Sequence, residues 1–279
     1  MCLLRPSPEV NQIIEFCLGL AAARTGVEIH AFCAMSNHVH TVATDAEGRL
    51  PEFLHLFHRH VAVALNRLHG RQENLWSGQQ TSVVELGDEQ DVLDKLAYVV
   101  ANPTSAGLVR TPKEWPGVIS RQLGKTKCVE RPSSYFRAKG TVPERVDLTF
   151  TVPPQLSHHG NTKANELFFA ALAHKLTAAC ADVLAKGCDF LGAKAVMKIS
   201  LTRVALSKER TGTKSPRFAI RQHELYAAAL ARLKGFLLAY REAFDGWRMG
   251  NRSVRFPEGT WLMKRAHGVK CGPPHPVAS

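Results

Sequence analysis

The feature that most constrains the fold is a β-hairpin pattern between two amphipathic helical patterns. VEIHAFCAM (27–35) and HVHTVAT (38–44) both alternate as half-buried strands do. Ser36 and Asn37 lie between them and are typical turn residues. Apolar residues recur at helical spacing over 7–25 and again over about 50–69. A chain with this order has to pair two antiparallel strands and pack helices against them.

Two further elements follow the hairpin and the second helix. Residues 75–86, LWSGQQTSVVEL, are predicted to be extended, and 88–102, DEQDVLDKLAYVVAN, predict a helix that begins on acidic residues and stops at Pro103. The order α, β, β, α, β, α predicts an α+β protein with a ferredoxin-like antiparallel sheet and helices on one face. The first strand of that sheet is missing, because only MCLLRP precedes the first helix.

The net charge of +12 is unevenly distributed along the chain. Residues 1–120 hold nine Lys or Arg against thirteen Asp or Glu, a net of −4, and residues 121–279 hold twenty-seven against eleven, a net of +16. We predict a first domain over 1–120, a polar, proline-containing linker over 121–155 and a basic, mainly helical region over 156–279.

Basic residues are densest between 194 and 221, where a nucleic acid would be attracted. A solvated surface with surplus charge is the alternative, and composition alone does not decide between the two. The candidate nucleic-acid-binding residues are Lys194, Lys198, Arg203, Lys208, Arg210, Lys214, Arg217 and Arg221.

Cysteine usage and hydropathy favour a cytoplasmic protein with no membrane partner; a nucleoid-associated location is expected if the protein acts on DNA. The seven cysteines include no CxxC pair, which is typical of reduced thiols. No uninterrupted apolar run reaches the ~20 residues that a membrane span needs.

The histidines at 38 and 40 are the first candidate site residues. In a strand, residues i and i+2 share a face, so His38 and His40 project together, and imidazole is a common ligand of divalent metals. Tyr98 and Asn102 share a face of the third helix, so an amide oxygen could complete a metal site beside a phenol. The alternative is two histidines satisfied by backbone groups, a tyrosine at the core edge and an asparagine that ends a helix before proline.

These motifs carry a family resemblance. MSNHVH, followed about sixty residues later by YVVANPTSAGLVRTPKEWPGVIS, resembles the HUH-type single-tyrosine transposases, in particular the relatives of the REP-associated tyrosine transposases. The resemblance covers about residues 3–120. In that family a tyrosine is followed by three apolar residues and Asn-Pro, and then by AGLV and Trp-Pro. Here Tyr98 matches the tyrosine, Asn102 the asparagine and Trp115 the tryptophan.

The resemblance implies that His38, His40 and Asn102 hold Mg²⁺ or Mn²⁺ and that Tyr98 is the nucleophile. It implies cleavage and strand transfer of single-stranded, hairpin or repeat DNA through a 5′-phosphotyrosine link and a free 3′-hydroxyl. The chemistry is consistent, because a phosphodiester repels nucleophiles and a divalent cation offsets its charge. A phenol is a weak nucleophile that needs such activation.

Two other functions remain as alternatives. A domesticated or truncated homologue would bind structured nucleic acid without cutting it, and a zinc metallohydrolase would use the histidine pair with an activated water. The second is weaker, because no carboxylate base lies at a suitable spacing. Whether the protein acts as a homodimer is left open, and His158 and His159 are interpreted as solvated loop residues.

Overall fold

The computed structural model describes residues 1–78, 81–133, 140–204 and 217–272. The protein is α+β, as predicted. The helices are α1 (Pro8–Thr25), α2 (Leu50–Leu68), α3 (Glu89–Ser105), α4 (Gly160–Ala185), α5 (Ala193–Met197), α6 (His223–Arg248) and α7 (Trp261–His267). The strands are β1 (Glu28–Ala34), β2 (Val39–Thr44), β3 (Glu85–Leu86), β4 (Lys125–Glu130), β5 (Arg145–Phe150), β6 (Phe218–Ala219), β7 (Arg255–Phe256) and β8 (Lys270–Cys271).

The main sheet has four strands in the order β2-β1-β5-β4. The hairpins β1–β2 and β4–β5 are antiparallel, whereas β5 runs parallel to β1, with Ile29 opposite Phe150. The sheet is therefore mixed instead of purely antiparallel. Residues 118–120 extend the pairing, since the Ala34 N–H donates to the Val118 carbonyl at 2.8 Å and the Ser120 N–H to that of Phe32 at 2.8 Å.

Residues 121–155, for which we expected a linker, instead supply half of this sheet. Val146 and Leu148 alternate inward on β5 and are buried, and Val129 on β4 is buried beside them. β5 takes the place beside β1, so the sheet is completed by a later segment of the chain. By contrast, the described part of 75–86, which leaves out residues 79 and 80, contains only the strand β3, and it pairs with β6 outside the main sheet. Leu75 and Trp76 pack against the core of α1 and α2, whereas Val83 is 51% exposed.

Helices cover both faces of the sheet, not one face as the ferredoxin-like pattern predicts. On one face, Phe32 and Ala34 pack with α1 and α2, and on the other Ala31, Cys33 and Met35 pack with α3 and α4. The physical reason is that β1 is apolar on both sides, and such a strand needs cover on both.

The helix ends follow local chemistry with one exception. The Ser7 hydroxyl caps α1 by accepting the Val10 N–H at 3.2 Å, and Asp88 caps α3 by accepting that of Asp91 at 2.9 Å. The expectation that the third helix stops at Pro103 is wrong, because α3 continues through it to Ser105. Pro103 lies in the last turn, so the intrahelical bond that its missing N–H cannot make is lost near the helix end, and its carbonyl accepts the Leu108 N–H at 2.9 Å.

The C-terminal half packs onto the first half through α4, which lies along α3. Leu156, Phe168 and Val196 are buried in the core that α3 shares with β1. The last helices form a smaller cluster around Phe256 and Met263. Aromatic residues of α6 pack within that cluster.

The stretch Pro154–Ala185 is long and apolar enough, by length and composition, to cross a membrane, with a mean hydropathy of 1.5 over its most apolar window. Only 17% of that window is buried. Length and composition alone do not identify a membrane helix, because core helices of soluble proteins pass the same test. The cytoplasmic location stays a prediction.

His30 joins three parts of the sheet from a buried position. It is 1% exposed, its Nδ1 lies 3.1 Å from the Thr151 carbonyl oxygen, and its Nε2 lies 2.8 Å from the Thr44 hydroxyl. Burial lowers the pKa of His30 to about 4. The folded protein therefore holds His30 neutral at pH values where the unfolded chain takes up a proton.

This predicts that His30 reduces stability as the solution is acidified. Because the folded pKa lies below the unfolded value near 6.5, no stability is lost above about pH 6.5, and the loss grows as the pH falls toward 4. Between pH 7 and pH 5 we expect the contribution to be on the order of 2 kcal/mol. Urea unfolding of the wild type and His30→Gln at both values tests this. An equal pH dependence in the two proteins would contradict it.

Candidate active site

The turn before β2 positions His38 and His40. The Met35 N–H donates to the His38 carbonyl at 2.9 Å, and the Leu4 N–H donates to that of Ser36 at 2.9 Å. Val39 packs against the core of α1 and α2. Because side chains alternate along a strand, the two histidines lie on the opposite face, toward α3.

The two imidazoles converge on one point. Their Nε2 atoms are 2.9 Å apart and their ring centroids are 4.7 Å apart. Two nitrogens bound about 2.1 Å from one ion at a right angle would be about 3.0 Å apart, so the pair fits a shared divalent cation. The Asn37 side-chain oxygen accepts a hydrogen bond from His38 Nδ1 at 2.7 Å. This bond places the proton on Nδ1 and leaves the Nε2 lone pair directed at the site.

His40 is suited to metal binding because it stays neutral. Burial, with the positive charges of His38 and Lys95 nearby, lowers the pKa of His40 to about 4. A histidine must be deprotonated to bind a metal ion, and His40 meets this condition at neutral pH.

Tyr98 lies directly beside the histidine pair. Its ring centroid is 5.6 Å from that of His40, and the two rings meet edge to face at 82°. Leu96, Val99 and Val100 point into the core, which leaves Tyr98 on the side of α3 that borders β2, with 39% of its surface exposed. The phenol is therefore next to the imidazoles and open to a substrate.

Two lysines flank the Tyr98 ring. The Lys95 ammonium on α3 is 5.0 Å from the ring centroid, and the Lys175 ammonium on α4 is 5.9 Å from it. Sequence reasoning missed both, and Lys175 could not be found from spacing, because only the packing of α4 along α3 brings it to the site. Together they form a local positive field where a phosphate would approach.

Asn102 lies one helical turn beyond Tyr98 on the same side of α3. Its side-chain nitrogen donates to the Tyr98 carbonyl at 2.8 Å, whereas metal binding would use its side-chain oxygen. The role of Asn102 as third ligand stays a prediction.

The predicted nucleic-acid-binding residues fall into three groups. Lys194, Lys198 and Arg203 are exposed on or just after α5, and Lys208, Arg210 and Lys214 lie outside the described residues. Arg217 is exposed, but Arg221 forms an ion pair with Asp94 on α3. A nucleic acid would have to compete with that carboxylate for Arg221.

The segment that carries Lys194 and Lys198 is hydrogen-bonded to the chain just after α3 and to the N-terminal residues. The Gly192 N–H donates to the Leu108 carbonyl just after α3 at 2.8 Å. The Cys2 N–H donates to the Leu201 carbonyl at 2.9 Å, next to the residues that hold the turn before β2. These bonds attach the segment with the exposed lysines to residues that follow α3 and to the N-terminal residues that hold the turn before β2.

The structure also contains a possible metal-binding group that sequence reasoning rejected. Glu89, His158 and His159, the histidines interpreted as solvated, come together with their ligand atoms all within 4.8 Å of one another. Spacing could not show this group, because Glu89 lies at the start of α3, far from the histidines in sequence; His158 is exposed, and the interpretation of the pair as solvated stays untested.

No protein-family model matches the chain, and no curated protein or solved structure does either. The family resemblance is thus carried by the two motifs themselves. The geometry of His38, His40 and Tyr98 is the observation that bears on function.

If the imidazole pair holds a divalent ion, removing either ring should weaken binding. We expect His38→Ala and His40→Ala each to lower Mn²⁺ affinity by at least about tenfold in isothermal titration calorimetry. His223→Ala, which changes an exposed histidine at the start of α6, is the matched control. Unchanged affinity in both site variants would argue against this site.

Proposed function

We propose that this chain is a metal-dependent nuclease and strand transferase of single-stranded DNA that acts on hairpin or repeat sequences, like the HUH-type transposases it resembles. Tyr98 is the nucleophile, and His38 and His40 are metal ligands with Asn102 as the third. The observation that carries the proposal is the contact between the Tyr98 ring and His40, within a pair of imidazoles that converge through Nε2.

The reaction exchanges one phosphoester for another. The Tyr98 oxygen attacks the phosphorus and loses its proton, the bond from phosphorus to the 3′-oxygen breaks, and that oxygen leaves as a hydroxyl after gaining a proton. The products are a 5′-phosphotyrosine and a free 3′-hydroxyl, which can reverse the step without an energy source. A bound Mg²⁺ or Mn²⁺ would supply charge neutralisation at the non-bridging oxygens.

The lysines near Tyr98 support a phosphodiester substrate. Lys95 and Lys175 reach the phenol ring from different helices, so an entering phosphate would meet a cation from each. Their ammonium groups would orient the phosphodiester against Tyr98 before the attack. The exposed Lys194, Lys198 and Arg203 nearby offer a path for the flanking strand.

Trapping the covalent adduct tests the nucleophile. A pool of hairpin oligonucleotides with single-stranded flanks, labelled at the 3′ end, is incubated with the protein and Mn²⁺ and resolved on denaturing gels. We expect a labelled protein band in the wild type and its complete loss in Tyr98→Phe, which keeps the ring but removes the attacking oxygen. Tyr226→Phe is a matched control, since Tyr226 is 42% exposed and Tyr98 39%.

The position of the label separates the outcomes. A 5′ label should be released on a shorter fragment, because the protein stays on the 5′-phosphate of the other product. An adduct that persists in Tyr98→Phe would show that another residue is the nucleophile. Salt-sensitive binding without any adduct in Mg²⁺ or Mn²⁺ would favour the alternative, a protein that binds structured nucleic acid without cutting it.

Lys175 provides an independent prediction. If its ammonium neutralises one phosphate, Lys175→Gln should weaken single-stranded DNA binding and lower the slope of log affinity against log salt by about 1. Fluorescence anisotropy over a salt series measures both. Lys163→Gln, on the same helix but paired with Glu166, should leave the slope unchanged. Equal slopes for Lys175→Gln and the wild type would remove Lys175 from the DNA path.

A further inference from the structure

We infer that Glu89, His158 and His159 form a second metal site, which takes a transition-metal ion such as Zn²⁺ and joins the start of α3 to the start of α4. This inference goes beyond the proposed function and does not depend on it. The site lies on different residues from the His38–His40 pair.

The three side chains already have distances close to those of a metal shell. Glu89 Oε2 is 3.0 Å from His159 Nε2 and 3.6 Å from His158 Nε2. Ligands about 2.1 Å from one ion lie roughly 3.0 to 3.5 Å apart at right-angle or tetrahedral positions. The two rings lie side by side, with centroids 3.9 Å apart. A small rotation of exposed side chains would complete the shell.

The backbone holds the histidines opposite Glu89. They end the 3₁₀-helix Pro154–His159, whose Leu156 is fully buried in the core shared with α3. Gly160 follows at φ 73°, a left-handed conformation that favours glycine, and the chain turns there into α4. Glu89 is the first residue of α3. The three ligands are thus fixed by packed elements and not by a free loop.

The charge around the group favours a cation. Asp88 caps α3, and Asp91 and Asp94 lie with Glu89 on its first turns; Arg221 pairs with both Asp91 and Asp94. The formal charge of these four acids exceeds that of Arg221, the cation with which two of them pair. The side chains of Glu89, His158 and His159 are 36%, 64% and 27% exposed, so an ion can reach them and keep water in its remaining positions.

The ligand set indicates the class of metal. Two imidazoles and one carboxylate suit zinc and neighbouring transition metals, whereas Mg²⁺ and Ca²⁺ prefer oxygen ligands. The ion would clamp α3, which carries Tyr98, to α4, which carries Lys175. Binding only to the folded chain would raise its stability.

The experiment uses the full chain with His38→Ala and His40→Ala already in place, so that only the second site is measured. After dialysis against Zn²⁺, metal analysis should find about one equivalent of bound zinc, and the melting temperature should rise by about 5 °C at a hundredfold excess over the dissociation constant. Adding His158→Ala with His159→Ala, or Glu89→Gln, should remove both effects. His174→Ala, at an exposed position of α4, should leave both unchanged.

Circular dichroism without metal checks that each variant is folded. We expect all of them to fold, because the three side chains are exposed or half-buried. Zinc that remains bound after the triad is changed would mean that thiols or other histidines hold it, and the inference would be overturned. The absence of bound zinc in the His38→Ala, His40→Ala background would also overturn it. Neither result affects the adduct assay on Tyr98, so the two proposals fail separately.

Discussion

The burial of β1 on both of its faces is the constraint on which the rest of the structure depends. Every residue from Ile29 to Ala34 is buried, and alternate side chains enter two different cores. Residues paired across the β1–β2 hairpin share a face of the sheet. His40, opposite Cys33, therefore faces α3, and Val39, opposite Ala34, faces α1 and α2. A slip of one residue in the register would turn the histidines away from Tyr98 and place an apolar residue at the site.

Local patterns predicted the elements whose signals are contained within a few residues. α1, the β1–β2 hairpin and α2 were predictable because their apolar positions recur at helix or strand spacing within a few residues, and Ser7 caps α1 locally. β4 and β5 were not, because their short patterns lie among prolines and polar residues, and they form strands by pairing with each other and, through β5, with β1. The extension of α3 through Pro103 depended on bonds from Leu108, which spacing does not show.

The candidate site also combines features that local spacing predicts with features that only tertiary packing produces. His38 with His40, and Tyr98 with Asn102, were predictable because i, i+2 and i, i+4 spacings determine a shared face in a strand and a helix. That Tyr98 meets His40 followed only from the packing of α3 on β2. Lys175 and the Glu89–His158–His159 group depend on α4 lying along α3, a contact between distant segments that no local pattern encodes.

The pairing of β1 with β5 has a consequence for biosynthesis. Ile29 pairs with Phe150 and Cys33 with Ile119, so one edge of β1 stays unpaired until these distant segments have left the ribosome. An apolar, unpaired edge is prone to pair with other chains, and contacts of this sequence separation form slowly. The nascent protein therefore passes through a long interval that invites chaperone binding, because residues 1–120 do not contain all four strands of the main sheet.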